Sequence, residues 1–317
     1  MVKKIAFFIC LAIMAACTEK KAEKFNPLPF PLVSAPAMIS SQQELAEYYS
    51  KHYWNSFTSP ERAKGRCDSA FVSSVPKMEV MKAFANYLSI LDMTPMETAK
   101  EGIRTFASKI HACEKRDTSS NIYNQLVEIA QKYLYDPNSQ YRNEDYYQAF
   151  AESMSKSDLV DETTRGTYAY EAQMCSRNAV GTFAENFTFS DRKGKTGSLY
   201  GIKAEYTVLF FTNPGCKACL EIIEFLKGHP KVASLIESGR VAVVNVYIDE
   251  DLTAWMEYEP TYPKTWTNVY DHNFIIRGDD LYFVRAIPSL YLLDFQKRVM
   301  MKDVPQDRLF AFLNNLQ

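Results

Sequence analysis

The sequence predicts two folded domains, an all-α domain followed by an α/β domain. The chain has 317 residues, enough for two domains of about 100–200 residues each. Apolar residues recur at helical spacing from about residue 40 to 178, whereas short β-rich runs alternate with helical stretches after residue 180. We therefore expect a helical domain over residues 40–180 and an α/β domain over residues 181–317.

Composition excludes several classes of protein. The chain has 36 Lys and Arg and 38 Asp and Glu, so it lacks the basic excess that nucleic-acid-binding proteins usually show. Aromatic residues make up 14% of the chain, which argues against disorder. Seven cysteines are too few for a disulfide scaffold, so their individual positions carry the information.

The first 16 residues have the pattern of a secretory signal peptide. Lys3 and Lys4 precede an apolar stretch over residues 5–16, which is too short to span a bilayer core of about 30 Å as a helix. The stretch ends in Ala15-Ala16-Cys17 and resembles the lipobox of bacterial lipoproteins, in which the cysteine carries the lipid. We expect lipidation at Cys17; an ordinary signal peptide that happens to contain Cys17 is the alternative.

Residues 17–39 are expected to form a lipid-anchored linker. The segment is polar after Cys17 and then carries Pro27, Pro29, Pro31 and Pro36, a composition typical of a semi-stiff spacer. Two acyl chains anchor a protein stably to a membrane. We therefore expect the folded domains to lie in the cell envelope, facing the periplasm, where disulfides persist.

The helical domain offers no catalytic motif. Apolar stripes such as residues 80–91 predict its helices, and Thr94-Pro95-Met96-Glu97 predicts a capping box that opens one of them. His52 and His111 are isolated. The three cysteines of this domain are Cys67, Cys113 and Cys175, and we expect them to be small buried residues. A disulfide between two of them is the alternative, and the sequence does not indicate which two.

A CxxC motif lies in the second domain. The apolar run of residues 206–211 predicts a buried strand, and it leads into Cys216-Lys217-Ala218-Cys219 and then into a helical pattern. A helix start brings both sulfurs to one face, and its unpaired N–H groups and dipole favour the thiolate. This predicts Cys216 as the nucleophile and Cys219 as the resolving thiol. The electrons pass through the dithiol, so we expect neither a cofactor nor a metal.

The remaining patterns complete the α/β domain. Residues 240–248 predict a second buried strand, residues 289–293 and 299–301 a hairpin, and residues 305–316 a closing helix. Between them, residues 250–281 form an aromatic-rich insert. The insert is interpreted either as a small satellite core or as a rim that selects substrates.

Residues 184–316 resemble a thioredoxin-like domain, close to the membrane-anchored TlpA-like thiol-disulfide oxidoreductases. The resemblance rests on the segment 184–199, which is similar to the opening hairpin, on the CxxC motif, and on Ala286-Ile287-Pro288-Ser289, which is similar to the cis-proline loop. It implies an α/β thioredoxin-like fold, a cis peptide before Pro288, and substrate binding by Ile287 and Pro288.

The whole chain also resembles lipoproteins of Gram-negative bacteria in which a helical domain of unknown function precedes a thioredoxin-like domain. The matching features are residues 35–39, Tyr48, His52-Tyr53-Trp54 and residues 255–266. The resemblance has two departures. Phe210 stands where thioredoxin has a buried acid, and Ile222 stands where TlpA-like proteins place a glutamate. Proton transfer at Cys219 is then expected to rely on water.

These observations predict a membrane-anchored thiol-disulfide oxidoreductase. Its expected partners are disulfide-containing exported proteins, a membrane thiol protein that donates or accepts electrons, and the membrane itself through the lipid. Three alternatives stay open. A zinc site would need ligands beyond the CxxC, a peroxiredoxin would need a threonine at Asn213, and a redox-inert binding lipoprotein would keep the fold as a scaffold.

Overall fold

The computed structural model describes residues 25–60 and 65–317. The predicted signal peptide and Cys17 therefore lie outside the described residues. Within these two ranges, no helix combines the length and the apolar character that crossing a membrane requires.

Among the described residues, six α-helices build the first domain. They are α1 (Gln42–His52), α2 (Lys77–Leu91), α3 (Met96–Arg116), α4 (Ile122–Leu134), α5 (Glu144–Met154) and α6 (Glu162–Cys175), with a short antiparallel pair β1 (Phe71–Val72) and β2 (Val75–Pro76) before α2. Ser41 and Glu44 form a capping box at the start of α1, where the Glu44 N–H donates to Ser41 Oγ at 3.2 Å.

The capping box predicted at Thr94 is wrong. Helix α3 begins at Met96, and Pro95 precedes it without a side-chain cap. The Thr94 hydroxyl instead donates to the Leu91 carbonyl at 2.9 Å, at the end of α2. The Thr94 backbone N–H donates to the same carbonyl at 2.9 Å, so the threonine closes α2 rather than opening α3.

Aromatic side chains fill the core of the helical domain. Trp54, Phe84 and Phe106 are buried, and the Trp54 and Phe106 ring centroids lie 5.1 Å apart. Gly102 lets α1 approach α3 closely, because a Cβ at this position would lie 2.8 Å from the Ser50 carbonyl oxygen. That carbonyl accepts a 2.7 Å hydrogen bond from the buried Tyr87 hydroxyl, which joins α2 to the same contact.

The described part of the predicted linker packs against the helical domain. The Phe30 ring stacks on Phe57 with centroids 5.0 Å apart and meets Trp54 edge-on at 5.6 Å. The Leu28 N–H donates to the Ser74 carbonyl at 2.9 Å. The prolines keep this segment extended. Burial of the apolar Phe30 ring is more favourable in free energy than its exposure to water, so the segment packs on the domain. Residues 25–30 are thus attached to the domain and do not form a free spacer.

A seven-stranded mixed sheet forms the second domain. Its elements are β3 (Thr188–Ser190), β4 (Thr196–Ser198), β5 (Tyr206–Phe211), α7 (Lys217–Gly228), α8 (Pro230–Glu237), β6 (Val241–Tyr247), α9 (Leu252–Tyr258), β7 (Thr267–Tyr270), α10 (Ile275–Gly278), β8 (Ser289–Leu293), β9 (Val299–Met301) and α11 (Gln306–Asn315). The strand order is β4-β3-β7-β6-β5-β8-β9, with β5, β6 and β7 parallel and β8 antiparallel to β5. The predicted all-α domain followed by an α/β domain is confirmed.

Strand β5 lies inside this sheet, between β6 and β8, and is covered on both faces. Val208 and Phe210 pack in one buried cluster with residues of α7, α8 and α11, whereas Leu209 and Phe211 pack in a second cluster on the opposite face. Burial on both faces explains why the strand reads as a continuous apolar run without alternation.

The aromatic-rich insert over residues 250–281 is part of the main fold. Trp255 is fully buried, and Trp266 lies in the same cluster as Phe210, with ring centroids 6.5 Å apart. The insert also supplies β7, which pairs with β6. The interpretation as a separate satellite core is wrong, because Tyr262 and Trp266 pack in the main buried cluster of the sheet. The rim that selects substrates stays a prediction; Tyr258 packs against the same cluster as Cys216.

Candidate redox site

Cys216 and Cys219 form a disulfide at the amino end of α7. Their Cα atoms lie 5.2 Å apart, within the usual range for a disulfide. Cys216 is the N-cap of the helix, and its Sγ accepts a hydrogen bond from the Cys219 N–H at 3.1 Å. Upon reduction, the same N–H would donate to a thiolate at Cys216. The backbone is therefore arranged to stabilise negative charge on the first sulfur.

The two sulfurs differ in their access to solvent. Cys219 is 1% exposed, whereas Cys216 is partly exposed and is flanked by the exposed residues Lys217 and Ala218. Gly215 precedes the motif with a φ of +71°, a left-handed conformation that favours glycine. This turn brings the chain from the end of β5 into the helix with Cys216 at the surface. Only Cys216 of the pair presents a sulfur to an incoming substrate.

The cis-proline loop lies at the same edge of the sheet. The Ile287–Pro288 peptide bond is cis, and Ser289 directly after it pairs with Phe211 at the end of β5. Four residues lie between Phe211 and Cys216. Ile287 and Cys216 both pack against the buried cluster that contains Cys219. The structure thus brings the four residues predicted for the site to one place.

The surroundings of Cys219 are apolar. Phe210 and Ile222, which replace the acids of related proteins, are at most 1% exposed and belong to the same buried cluster as Cys219. Polar groups begin just after β5, where the buried Thr212 hydroxyl donates to Asn245 Oδ1 and lies 3.4 Å from the Tyr262 hydroxyl. Burial raises the pKa of Tyr262, which keeps this hydroxyl protonated.

A charged group beside the motif was not predicted from the sequence. The Asn213 side-chain amide donates to the Asp249 carboxylate, which also pairs with Arg277 at 2.5 Å. Asp249 follows β6 at the edge where β5 ends, so the parallel pairing of the two strands was the available signal. The Asn213–Asp249 hydrogen bond and the Asp249–Arg277 ion pair together link the turn before Cys216 to α10.

The other cysteines of the described chain are free thiols. Cys113 and Cys175 are buried, as predicted, and burial raises the pKa of each thiol. Cys67 is partly exposed, so its predicted burial is wrong; it lies beside the short β1–β2 hairpin, where its Sγ is 3.2 Å from the Gly65 carbonyl. Among the described residues, no group of three or more His, Cys, Asp or Glu side chains is placed to hold a metal.

Comparison with known proteins assigns both domains. The model of a family described as a domain of unknown function, DUF5106, matches residues 13–178, more than half of the chain. A crystal structure of a thioredoxin-like protein from Bacteroides caccae is 34% identical, covers 92% of this chain and 100% of its own, and superposes with a TM-score of 0.77. The chain belongs to the DUF5106 family and is a thioredoxin-like protein. The resemblance stated from the sequence and the predicted thioredoxin-like fold are confirmed.

Other solved structures cover less than half of this chain. The C-terminal domain of an uncharacterized protein from Bacteroides fragilis is 42% identical over 44% of this chain and 99% of its own, with a TM-score of 0.42. The thioredoxin domain of a thiol-disulfide oxidoreductase from Bacteroides vulgatus is 21% identical over 43% and 96%, with a TM-score of 0.38. The search of curated proteins found no match.

Proposed function

We propose that the chain is a thiol-disulfide oxidoreductase, held at a membrane by a lipid on Cys17, that acts on disulfides of exported proteins. The observation that carries the proposal is the difference between the two sulfurs of the CxxC motif. Cys216 is partly exposed at a helix amino terminus, at the same edge of the sheet as Pro288, while Cys219 is buried one turn behind it. That arrangement suits a nucleophile and a resolving thiol.

The reaction proceeds by two exchanges. The Cys216 thiolate attacks one sulfur of the substrate disulfide, a mixed disulfide forms, and the second substrate sulfur leaves as a thiolate that takes up a proton. The Cys219 thiol then loses its proton to water and attacks Cys216 Sγ, which releases the first substrate sulfur. Two electrons pass from the dithiol to the substrate. A membrane thiol protein returns them by the same chemistry in reverse.

The cis-proline loop supplies the substrate contact. The Ile287 backbone precedes Pro288 and continues into β8 at the edge that carries Cys216. An extended substrate segment that runs along this loop would pair with its free backbone groups and would place a disulfide over Cys216.

Substitution of the nucleophile tests this proposal. Cys216→Ser is expected to lower the rate of reduction of a peptide disulfide by at least about a thousandfold, because serine does not form a comparable nucleophile at neutral pH. Cys67→Ser is the matched control, since Cys67 is also partly exposed but lies in the helical domain; its rate should match the native chain. Equal rates for the native chain and Cys216→Ser would refute the proposal.

Cellular location has its own test. Cys17→Ser is expected to move the protein from the membrane fraction to the soluble fraction of the cell envelope, because the lipid can no longer be attached. Fractionation followed by immunodetection measures this, with Cys67→Ser as the control. A Cys17→Ser protein that stays in the membrane fraction would contradict the lipid anchor.

A redox-inert binding protein is the second candidate. The apolar neighbours Phe210 and Ile222 favour it, because they leave Cys219 without a carboxylate to take its proton. In that case the Cys216–Cys219 disulfide is structural and should resist reduction by excess glutathione. Rapid reduction of this bond under those conditions would exclude the binding protein.

A further inference from the structure

Five charged side chains form a buried network between the two domains. Glu144 is the first residue of α5, and Arg142 lies two residues before it. Arg285, Lys302 and Asp303 lie in the α/β domain; we call these five residues the interdomain network. No side chain in it is more than 12% exposed. Charges buried to this extent are costly unless they are paired and hydrogen-bonded, so the geometry of the pairs constrains the position of both domains.

Glu144 lies at the centre of the interdomain network. Its Oε1 accepts a hydrogen bond from Arg285 Nε at 3.1 Å, and its Oε2 lies 2.9 Å from Lys302 Nζ. Arg142 donates to the Asp303 carbonyl at 2.8 Å and lies 3.5 Å from the Asp303 carboxylate. The Glu144 carboxylate thus holds Arg285 and Lys302, and the Arg142 guanidinium holds Asp303.

These contacts reach both sides of Pro288. Arg285, three residues before the proline, also donates to the Tyr135 carbonyl and stacks 4.1 Å above the Tyr135 ring. Ser289, the residue after the proline, donates to Asp303 Oδ1 at 2.7 Å. The cis-proline loop, residues 285–289, is therefore fixed at one end directly by the helical domain and at the other through Asp303.

We propose that the helical domain positions the cis-proline loop, with Glu144 and Arg285 as positioning residues for substrate binding. The inference rests on the proposed function, in which this loop contacts the substrate. Arg285 points into the network and is 10% exposed, so it acts through the neighbouring Ile287 and Pro288. A loop held in its binding conformation before the substrate arrives loses less freedom upon binding.

Hydrogen exchange of the full chain measures the positioning without any need for activity. Glu144→Gln removes the charge at the centre of the network while keeping its size. The backbone N–H groups of residues 285–287 and of Ser289 are expected to exchange at least tenfold faster in this variant, whereas those of β5 and β6 stay protected and show that the fold is kept. Arg308→Met is the matched control, because Arg308 pairs with Asp92 across the same two domains at the exposed surface; its loop amides should stay within twofold.

Kinetics with two substrates separate positioning from general damage. For a peptide disulfide, Glu144→Gln should raise KM about tenfold and leave kcat within twofold. For 2-hydroxyethyl disulfide, which has no peptide backbone to pair with the loop, the rate should stay within twofold. Arg285→Lys retains the charge but offers fewer donors, so it should show a smaller increase in KM and serves if Glu144→Gln does not fold.

Loop amides that exchange at the native rate in Glu144→Gln would overturn the inference. So would an equal loss of rate with both disulfides, since that result indicates a structural role alone. A native chain that exchanges with neither disulfide would contradict the proposed function instead, and the hydrogen-exchange comparison would still decide whether the helical domain holds the loop.

Discussion

Two residues of one helical turn carry different tasks because the fold gives them different surroundings. Cys216 caps α7 and faces solvent, and Cys219 packs in the core among Phe210 and Ile222. The apolar core protects the second sulfur from outside reagents, so it reacts with the sulfur beside it. The same core offers no carboxylate for its proton, and the solvent-exposed side of Cys216 is the open route for water.

Asp303 of the interdomain network has a pKa in the mildly acidic range. Burial raises its pKa to about 6, and the nearby Glu144 carboxylate acts in the same direction, whereas Arg142, the Ser289 hydroxyl and Arg285 oppose the shift. The native state thus binds a proton more tightly than the unfolded chain does. This contribution to stability is complete below the unfolded pKa of about 3.9 and is lost as pH rises through about 6.

Asp303→Asn should make this titration visible. Asparagine keeps an acceptor for Ser289 and removes the ionisable group. Between pH 4 and pH 7, the free energy of unfolding of the native chain should therefore fall by about 1 to 3 kcal/mol relative to that of Asp303→Asn. Chemical denaturation at several pH values measures the difference, and the exposed Asp307→Asn is the control. A difference that stays constant over this range would contradict the raised pKa.

Among the elements, those with local signals were predictable. The continuous apolar run 206–211 predicted β5, because a strand buried on both faces has apolar residues at every position. The apolar spacing after Cys219 predicted α7, because a helix buried on one face has apolar residues every three or four positions. Strand β7 was missed. It has four residues, Thr267–Tyr270, and owes its conformation to pairing with β6, a long-range contact that no local pattern records.

The site residues that have a local sequence signal were predictable, and those that meet only through long-range contacts were not. The CxxC motif and Pro288 have recognisable neighbours in sequence, so the four site residues followed from motif and resemblance. Glu144 and Arg285 lie 141 residues apart and meet only in the folded chain. Their residue types are common at surfaces, so the sequence offered no signal that they form a buried pair.

On the scale of the whole molecule, the helical domain and the redox site form one unit. Helix α5 contributes Glu144, which reaches the loop before Pro288, and the segment before it contributes Arg142, which holds Asp303 and through it Ser289. A domain without a catalytic motif of its own thereby acquires a role at the CxxC edge. The proposed anchor at Cys17 would present this unit to substrates near a membrane.

The central claim is that Cys216 forms a mixed disulfide with the substrate. To test this, the Cys219→Ser variant is reduced and then mixed with a peptide disulfide. The product is identified by mass spectrometry. We expect a stable adduct in which one half of the peptide is bonded to Cys216, because the resolving thiol is missing. Failure to form an adduct, or adducts confined to Cys67, Cys113 or Cys175, would contradict it.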